Sequence, residues 1–248
     1  MDLNAFFAGH PEVAVAFSGG VDSAYLLYAA SRLARRVGAY CVRSRFQPAF
    51  EYADAAAFAS RLGVKLTTIE LDVLSVPGVR ESPPERCYLC KTAIFSAIRR
   101  AAGEDGFAVL LDGTNASDDV RDRPGMRALQ ELGVLSPLRL CGLDKQTIRS
   151  LAREAGIPLW DKPAYACLAT RIPHGEPLSE AKLAAAEQAE AFLFSLGFRD
   201  FRVRSQNGQA RIQLREEQLP LLMHHRAAVL EQLRRLYGAV LLDLEVRK

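Results

Sequence analysis

Long apolar runs, blocks of one charge sign and targeting segments are missing from this sequence, and each absence removes a class of function. No uninterrupted apolar stretch reaches the ~20 residues of a membrane-spanning helix, so no membrane partner is expected. The 32 Lys and Arg residues are scattered among 29 Asp and Glu, leaving a formal charge of +3. There is no basic block of the kind that follows a nucleic-acid backbone, and nucleic acid is not an expected partner. The N-terminal MDLNAFFAGHPE has acidic residues and no basic leader region, which reads as a cytoplasmic protein. Cysteine is sparse, five in 248 residues, yet Cys87 and Cys90 stand close together in ERCYLCK. In a reducing compartment such a pair points to metal binding or catalysis ahead of a structural disulfide.

What is present is the composition of a folded protein, 49% hydrophobic and 25% charged, long enough for one sizeable core and a smaller second unit. The first two thirds alternate short β-rich runs (VAVAF, VGAYCV, KLTTIEL, AVLLDG) with segments such as VDSAYLLYAASRLARRV, whose apolar residues recur at three and four. Continuous apolar strands separated by helices imply a parallel sheet covered on both faces, an α/β, Rossmann-like domain. DKQTIRSLAREAG adds a helix with an Asp cap, ending at Gly156. The proline-rich IPLWDKPAYACLATRIPHGEP follows without clear periodicity. Beyond it the order becomes helix, strand, strand, helix over 218–238, strand, with Asn207-Gly208 as a hairpin signal between FRVRSQ and QARIQL. The expected organisation is residues 1–172 as the α/β domain and 173–248 as a small α+β domain, the boundary near Pro173.

Directly after the first strand stands AFSGGVDSAYLL. Gly19 and Gly20 permit a tight turn off the strand, and a helix starting near Val21 presents its positive end to an anion. This is a phosphate cradle without the spacing or the lysine of a Walker loop. Ser18 and Ser23 can donate hydroxyl hydrogen bonds to phosphate oxygens, and Asp22 is a candidate Mg2+ ligand. Asp112, Gly113, Thr114 and Asn115 follow the fourth strand and should lie at the same carboxyl edge. Lys91 and Arg123 are candidates to bind phosphate, and Arg202 and Arg204, of the same parity on one strand, project from one face and suit a phosphate group.

The spacing of Cys87 and Cys90 leaves a metal chelate, a dithiol switch and a chance pairing all open. Cys167, in the loop ahead of the small domain, is the third distinctive thiol. A zinc site would need a fourth ligand, for which His174 is the nearest candidate. Cys41 lies in an apolar strand and reads as a core residue, and Cys141 in LRLCGLD also reads as structural.

SGGVDS in this context resembles the pyrophosphate loop of the ATP pyrophosphatases (PP-loop, adenine nucleotide alpha hydrolase-like proteins), which cleave ATP between its α and β phosphates and pass AMP to a carboxyl or carbonyl oxygen. More narrowly, LLDGTNASDDVRDRPGMRA, SPL with DKQTIRSLAREAGIP, WDKPAYACLATRIPHG and FRVRSQNGQARIQL resemble the LarE family, ATP-dependent sulfur transferases of nickel-pincer nucleotide biosynthesis. The resemblance spans almost the whole chain. It implies phosphate and substrate contacts from Ser18, Gly19, Gly20, Asp22, Ser23, Gly113, Thr170, Arg171, Arg202 and Arg204. One kind of family member gives up the sulfur of a single cysteine; the other holds a [4Fe-4S] cluster on three. RCYLC and ACLATR resemble the second kind, implying Cys87, Cys90 and Cys167 as cluster ligands and catalytic residues with Asp22, and ATP, Mg2+ and the cluster as cofactors. A small nucleotide substrate, a sulfide source and a homo-oligomer, a hexamer as in relatives, complete the expectation. A tRNA thiolation enzyme and a one-shot sacrificial Cys167 stand as alternatives; an ammonia-using synthetase and a nucleotide sensor without turnover are the remaining competitors. The chain ends at LLDLEVRK, short of the Arg-Ser-Gly tail the family pattern suggests.

Overall fold

The computed structural model describes residues 1–118 and 124–245. It comprises two compact units, one of Met1–Val76 with Glu85–Lys162 and one of Pro77–Pro84 with Pro163–Lys248. Pro173 lies inside the second.

In the first unit the chain runs α1 (Leu3–Gly9), β1 (Glu12–Ala16), α2 (Val21–Leu33), β2 (Arg36–Arg43), α3 (Ala49–Arg61), β3 (Leu66–Glu70), α4 (Arg86–Glu104), β4 (Leu110–Leu111), α5 (Pro124–Glu131), α6 (Pro137–Leu140) and α7 (Lys145–Glu154). The four strands form one parallel sheet in the order β3-β2-β1-β4. This is the α/β, Rossmann-like architecture expected. Period-two alternation divides β1 between two cores. Val13 and Val15 pack with Leu26 and Leu27 of α2 and Ile148 of α7, while Ala14 and Ala16 pack with Phe95 and Ile98 of α4 and Leu129 of α5. The order matters for function. The chain moves outward from β1 to β3 and then returns to the other side of β1 for β4, so the loops after β1 and β4 diverge from adjacent strand ends. That switch point is where an open α/β sheet leaves a crevice for ligands.

The second unit contains α8 (Glu180–Ser195), β5 (Arg202–Gln206), β6 (Gln209–Gln213), α9 (Leu219–His224), α10 (Arg226–Leu233) and β7 (Ala239–Leu242). β5 and β6 form an antiparallel hairpin, and β7 pairs parallel to β6. Asn207 (φ 49°) and Gly208 (φ 74°) both take positive φ, as a tight two-residue hairpin turn requires. Leu193, Phe198, Phe201, Val203, Ile212 and Leu233 form its core. Pro77–Pro84 joins this unit through Gly175 N–H to Ser82 O (2.9 Å) and Leu178 N–H to Arg80 O (2.7 Å).

Two local expectations change, and one helix appears where none was expected. The helix expected over 218–238 is interrupted at His225, which ends α9 and starts α10. The strand expected over AVLLDG contracts to Leu110–Leu111, and the Cys87–Cys90 stretch opens a 19-residue helix, α4, in which Arg86, Phe95, Ile98 and Ala102 are buried. No helix among the described residues is long and apolar enough to cross a membrane.

Candidate functional site

Ser18–Gly20 bridges β1 and α2. Gly19 sits at φ 80°, and a Cβ there would lie 2.7 Å from the Glu51 carbonyl oxygen, so the turn admits only glycine. Gly20 caps α2, and buried Ser23 donates to the Gly20 carbonyl (3.1 Å) and meets the Ser18 hydroxyl at 3.1 Å. The turn in which a phosphate cradle was expected is thus present, with its two serines joined. Gln47 Nε2 donates to the Ser18 carbonyl at 3.0 Å, and Lys162 Nζ to that of Gly19 at 3.4 Å.

Asp22, in the first turn of α2, is the electrostatically unusual residue. Its Oδ1 is buried and accepts no hydrogen bond from the described residues. Burial pushes its carboxyl above the ordinary range, Lys145 and Arg149 oppose this, and the neighbouring Asp118 carboxylate adds to it. A buried, unpartnered carboxylate oxygen beside a second carboxylate, at an anion-favouring helix start, has the donor chemistry to accept a hard divalent cation.

The loop after β4 reaches the same place. A Cβ on Gly113 would lie 2.9 Å from Ser23 N, so this glycine lets the loop touch the start of α2. Asp112, Thr114 and Asn115 are buried. The Thr114 hydroxyl donates to Asp112 Oδ2, and the Ser136 hydroxyl donates to Asp112 Oδ1 at 2.5 Å, so Asp112 secures the loop. Asn115 accepts from Ser117 N–H (2.8 Å), and Ser117 Oγ accepts from Lys145 N–H (3.0 Å), which ties the loop to the N-terminus of α7. An open cleft of about 530 Å3 beside it is lined by Ser117, Lys145, Arg149, Arg153 and Trp160 among others. Arg123 lies outside the described residues.

Cys87 and Cys90 lie in the first two turns of α4, three residues apart on the same face and partly exposed. The aliphatic part of Lys91 lies against Gly125. Cys41 is buried in β2, its thiol pushed up to about 11 by burial, and belongs to the core as expected. Cys141 caps the C-terminus of α6. Within neither unit do three His, Cys, Asp or Glu side chains among the described residues come together to hold a metal ion.

Cys167, in the second unit, is exposed at the start of a short 3-10 turn, Leu168–Arg171. Its loop is held by the three arginines that the sequence marked. Arg202 donates to the Ala164 carbonyl (2.6 Å), Arg171 to that of Ala166 (2.9 Å) and Arg204 to that of Thr170 (2.7 Å). Arg171 is fully buried and forms a two-pronged ion pair with Glu190, Nε to Oε1 at 2.8 Å and NH2 to Oε2 at 2.9 Å. Tyr165 donates its hydroxyl to Glu190 as well, and Val203 N–H donates to Oε1 at 2.8 Å. The Thr170 hydroxyl donates to Cys167 O (2.7 Å) and accepts from Arg171 (2.9 Å). Glu190, Gln47, Lys145 and Lys162 were missed from sequence. Lys162 alone carried a signal, its place in the WDKP segment.

The fold and this loop geometry define a Rossmann-like protein with a tight glycine turn at its sheet switch point. No family model matches the chain. It is 34% identical over 94% of its length, and 85% of the relative's, to the pyridinium-3,5-bisthiocarboxylic acid mononucleotide synthase of Lactiplantibacillus plantarum. It is also 35% identical over 88% of its length (82% of the relative's) to an uncharacterized protein of Synechocystis, and 27% identical over 95% (90% of the relative's) to an uncharacterized protein of Methanocaldococcus jannaschii. The chain belongs to the LarE family of sulfur transferases.

Proposed function

We propose that the protein is an ATP- and Mg2+-dependent sulfur transferase of nickel-pincer nucleotide biosynthesis, converting a carboxylate of pyridinium-3,5-biscarboxylic acid mononucleotide to a thiocarboxylate. The observation that carries this reading is the 34% identity over 94% of the chain to a protein named for the bisthiocarboxylate product. In the first step a substrate carboxylate oxygen attacks the α-phosphorus of ATP; the new O–P bond forms as the bond to the β-phosphate oxygen breaks, and pyrophosphate leaves. In the second a hydrosulfide forms a C–S bond at the activated carbonyl, the C–O bond breaks, and AMP departs with the electron pair.

The residues suit these roles. The Ser18–Ser23 turn offers N–H groups and hydroxyls to the phosphates, and Asp22 with its unpartnered Oδ1 offers the Mg2+ ligand. Charge developing on pyrophosphate would be met by the cradle and by Lys145, an electrostatic contribution fixed in advance by the fold. Cys87, Cys90 and Cys167 would hold the [4Fe-4S] cluster, and three thiolate ligands would leave a position for exogenous sulfide. Two thiols one helical turn apart fit a shared ligand set, and Cys167 is exposed. The arginine-held loop fixes where that sulfur stands.

Anaerobic protein reconstituted with iron and sulfide tests this. Expected are iron and acid-labile sulfide at a cubane's stoichiometry, lost in Cys87→Ala, and pyrophosphate release only when the dicarboxylate mononucleotide is present. A well-folded protein without iron, carrying dehydroalanine at position 167 after turnover, would instead establish sacrifice of Cys167.

A further inference from the structure

We infer that Gln47 and Lys162, neither of which belongs to the SGGVDS turn, are positioning residues that set its anion-binding geometry. The inference rests on the reading of that turn as the ATP phosphate site. All peptide bonds described are trans, and in a planar trans peptide the C=O of one residue and the N–H of the next point in opposite directions. Gln47 Nε2 holds the Ser18 carbonyl, which turns the Gly19 N–H away from Gln47. Lys162 Nζ holds the Gly19 carbonyl, which turns the Gly20 N–H away from Lys162. Both carbonyls are thus engaged by side chains, and the N–H that follows each is turned away from the side chain that holds it, which leaves Gly19 N–H and Gly20 N–H to an anion, as in a backbone nest.

Lys162 does a second thing. Its ammonium lies 3.1 Å from Glu51 and 2.7 Å from Asp54, both on α3, and its side chain is only 15% exposed. Glu51 is itself buried, with its backbone against Gly19. Without the ammonium, these two carboxylates would lose a counter-charge behind a turn read as receiving polyphosphate. Lys162 is held in turn by Arg149, which donates to the carbonyls of Trp160 (2.8 Å) and Lys162 (2.7 Å) and so fastens the end of this unit to α7. The lysine therefore orients one peptide of the cradle and screens the negative charge behind it, without touching the nucleotide.

The test compares wild type, Lys162→Met, Lys162→Arg and Gln47→Leu as full-length proteins, titrated calorimetrically with Mg-ATP, pyrophosphate and adenosine. Kd for ATP and for pyrophosphate should rise about tenfold or more in Lys162→Met and a few-fold in Gln47→Leu, with Lys162→Arg recovering most of the loss. Adenosine, which carries no phosphate, should bind all four alike. If the variants bind ATP as wild type does, the inference fails while the ATP site stands. If adenosine weakens in step with ATP, the residues act only on general structure and the inference is overturned. Wild type that binds neither ATP nor pyrophosphate overturns the ATP-site reading and this inference with it. Should Lys162→Met fail to fold, Gln47→Leu, altered at a more exposed contact, decides between the same outcomes.

Discussion

Replacing Glu190 by alanine removes the acceptor around which the Cys167 loop is organised. Its carboxylate accepts from Arg171 twice, from the Tyr165 hydroxyl and from Val203 N–H, at a position 1% exposed, while Arg171 is 0% exposed. The loss leaves a guanidinium, a phenol and a backbone N–H in the interior with their main partner gone. Breaking one side of a buried ion pair costs about 3–5 kcal/mol, and the uncompensated charge on Arg171 places this case within that range. With a urea slope of roughly 2 kcal/mol per molar, the unfolding midpoint of the second unit should fall by about 2 M. The probe must be chosen with care, because Trp160, the single tryptophan, lies in the first unit. Hydrogen exchange at Val203 and along β5 and β6 reports the right transition. The double variant Arg171→Met/Glu190→Leu should be more stable than Glu190→Ala, since no charge is then buried unpaired. A Glu190→Ala protein whose β5 amides lose less than about 1 kcal/mol of protection would show that the pair is not the organising contact.

Other outcomes follow from single positions. Gly113→Ala brings a Cβ to 2.9 Å from Ser23 N and 3.1 Å from Ser23 Cα, both backbone atoms, and should cost about 1–3 kcal/mol in chemical denaturation. Gly103→Ala, in helical α4 with nothing within 4 Å of the new Cβ, should instead stabilise by roughly 0.4–1 kcal/mol; equal effects in the two would refute the distinction. Native protein treated with iodoacetamide at mildly alkaline pH should be alkylated at exposed Cys167 and spared at Cys41, which peptide mass spectrometry reads directly. The Thr147 N–H bonded to Asp144 at 2.7 Å holds that carboxyl below its ordinary range. A carboxyl lowered in the folded state stabilises above its unfolded value, and that contribution disappears as pH falls through the folded one. Asp144→Asn, which keeps an acceptor at the cap, should flatten the acid limb of the stability curve; an unchanged limb would refute the assignment.

Much of the fold was legible because the parallel sheet writes itself in continuous apolar strands, and the glycines of the phosphate turn announce a conformation that other residues avoid. What could not be seen was α4. Its sequence RCYLCKTAIFSAIRRAAGE carries Cys, Lys and Arg across its opening turns, and only Arg86, Phe95, Ile98 and Ala102 are buried, so periodicity gives a faint signal. The same helix converts the Cys87–Cys90 spacing from a pattern in sequence into two thiols on one face. The helix expected over 218–238 was overcalled for the opposite reason, since Leu and Ala composition is continuous through His225 while the backbone is not.

The arginines mark where sequence reasoning has its limit. Shared parity places Arg202 and Arg204 on one face of β5, and β5 confirms that face, but parity says nothing about what covers it. A strand face bearing two guanidiniums reads equally as a phosphate grip or as a clamp on backbone carbonyls. In the structure Arg202 donates to the Ala164 carbonyl and Arg204 to that of Thr170, with Arg202 only 4% exposed. Arg171 is a stronger case, because its counter-charge Glu190 lies 19 residues away in a helix whose sequence, AEQAEAF, looks like an ordinary solvated face. Only the closure of α8 onto β5 turns that glutamate inward. Guanidinium-to-carbonyl bonds at Ala164, Ala166 and Thr170 hold the loop through its backbone, and Cys167 stays exposed within it.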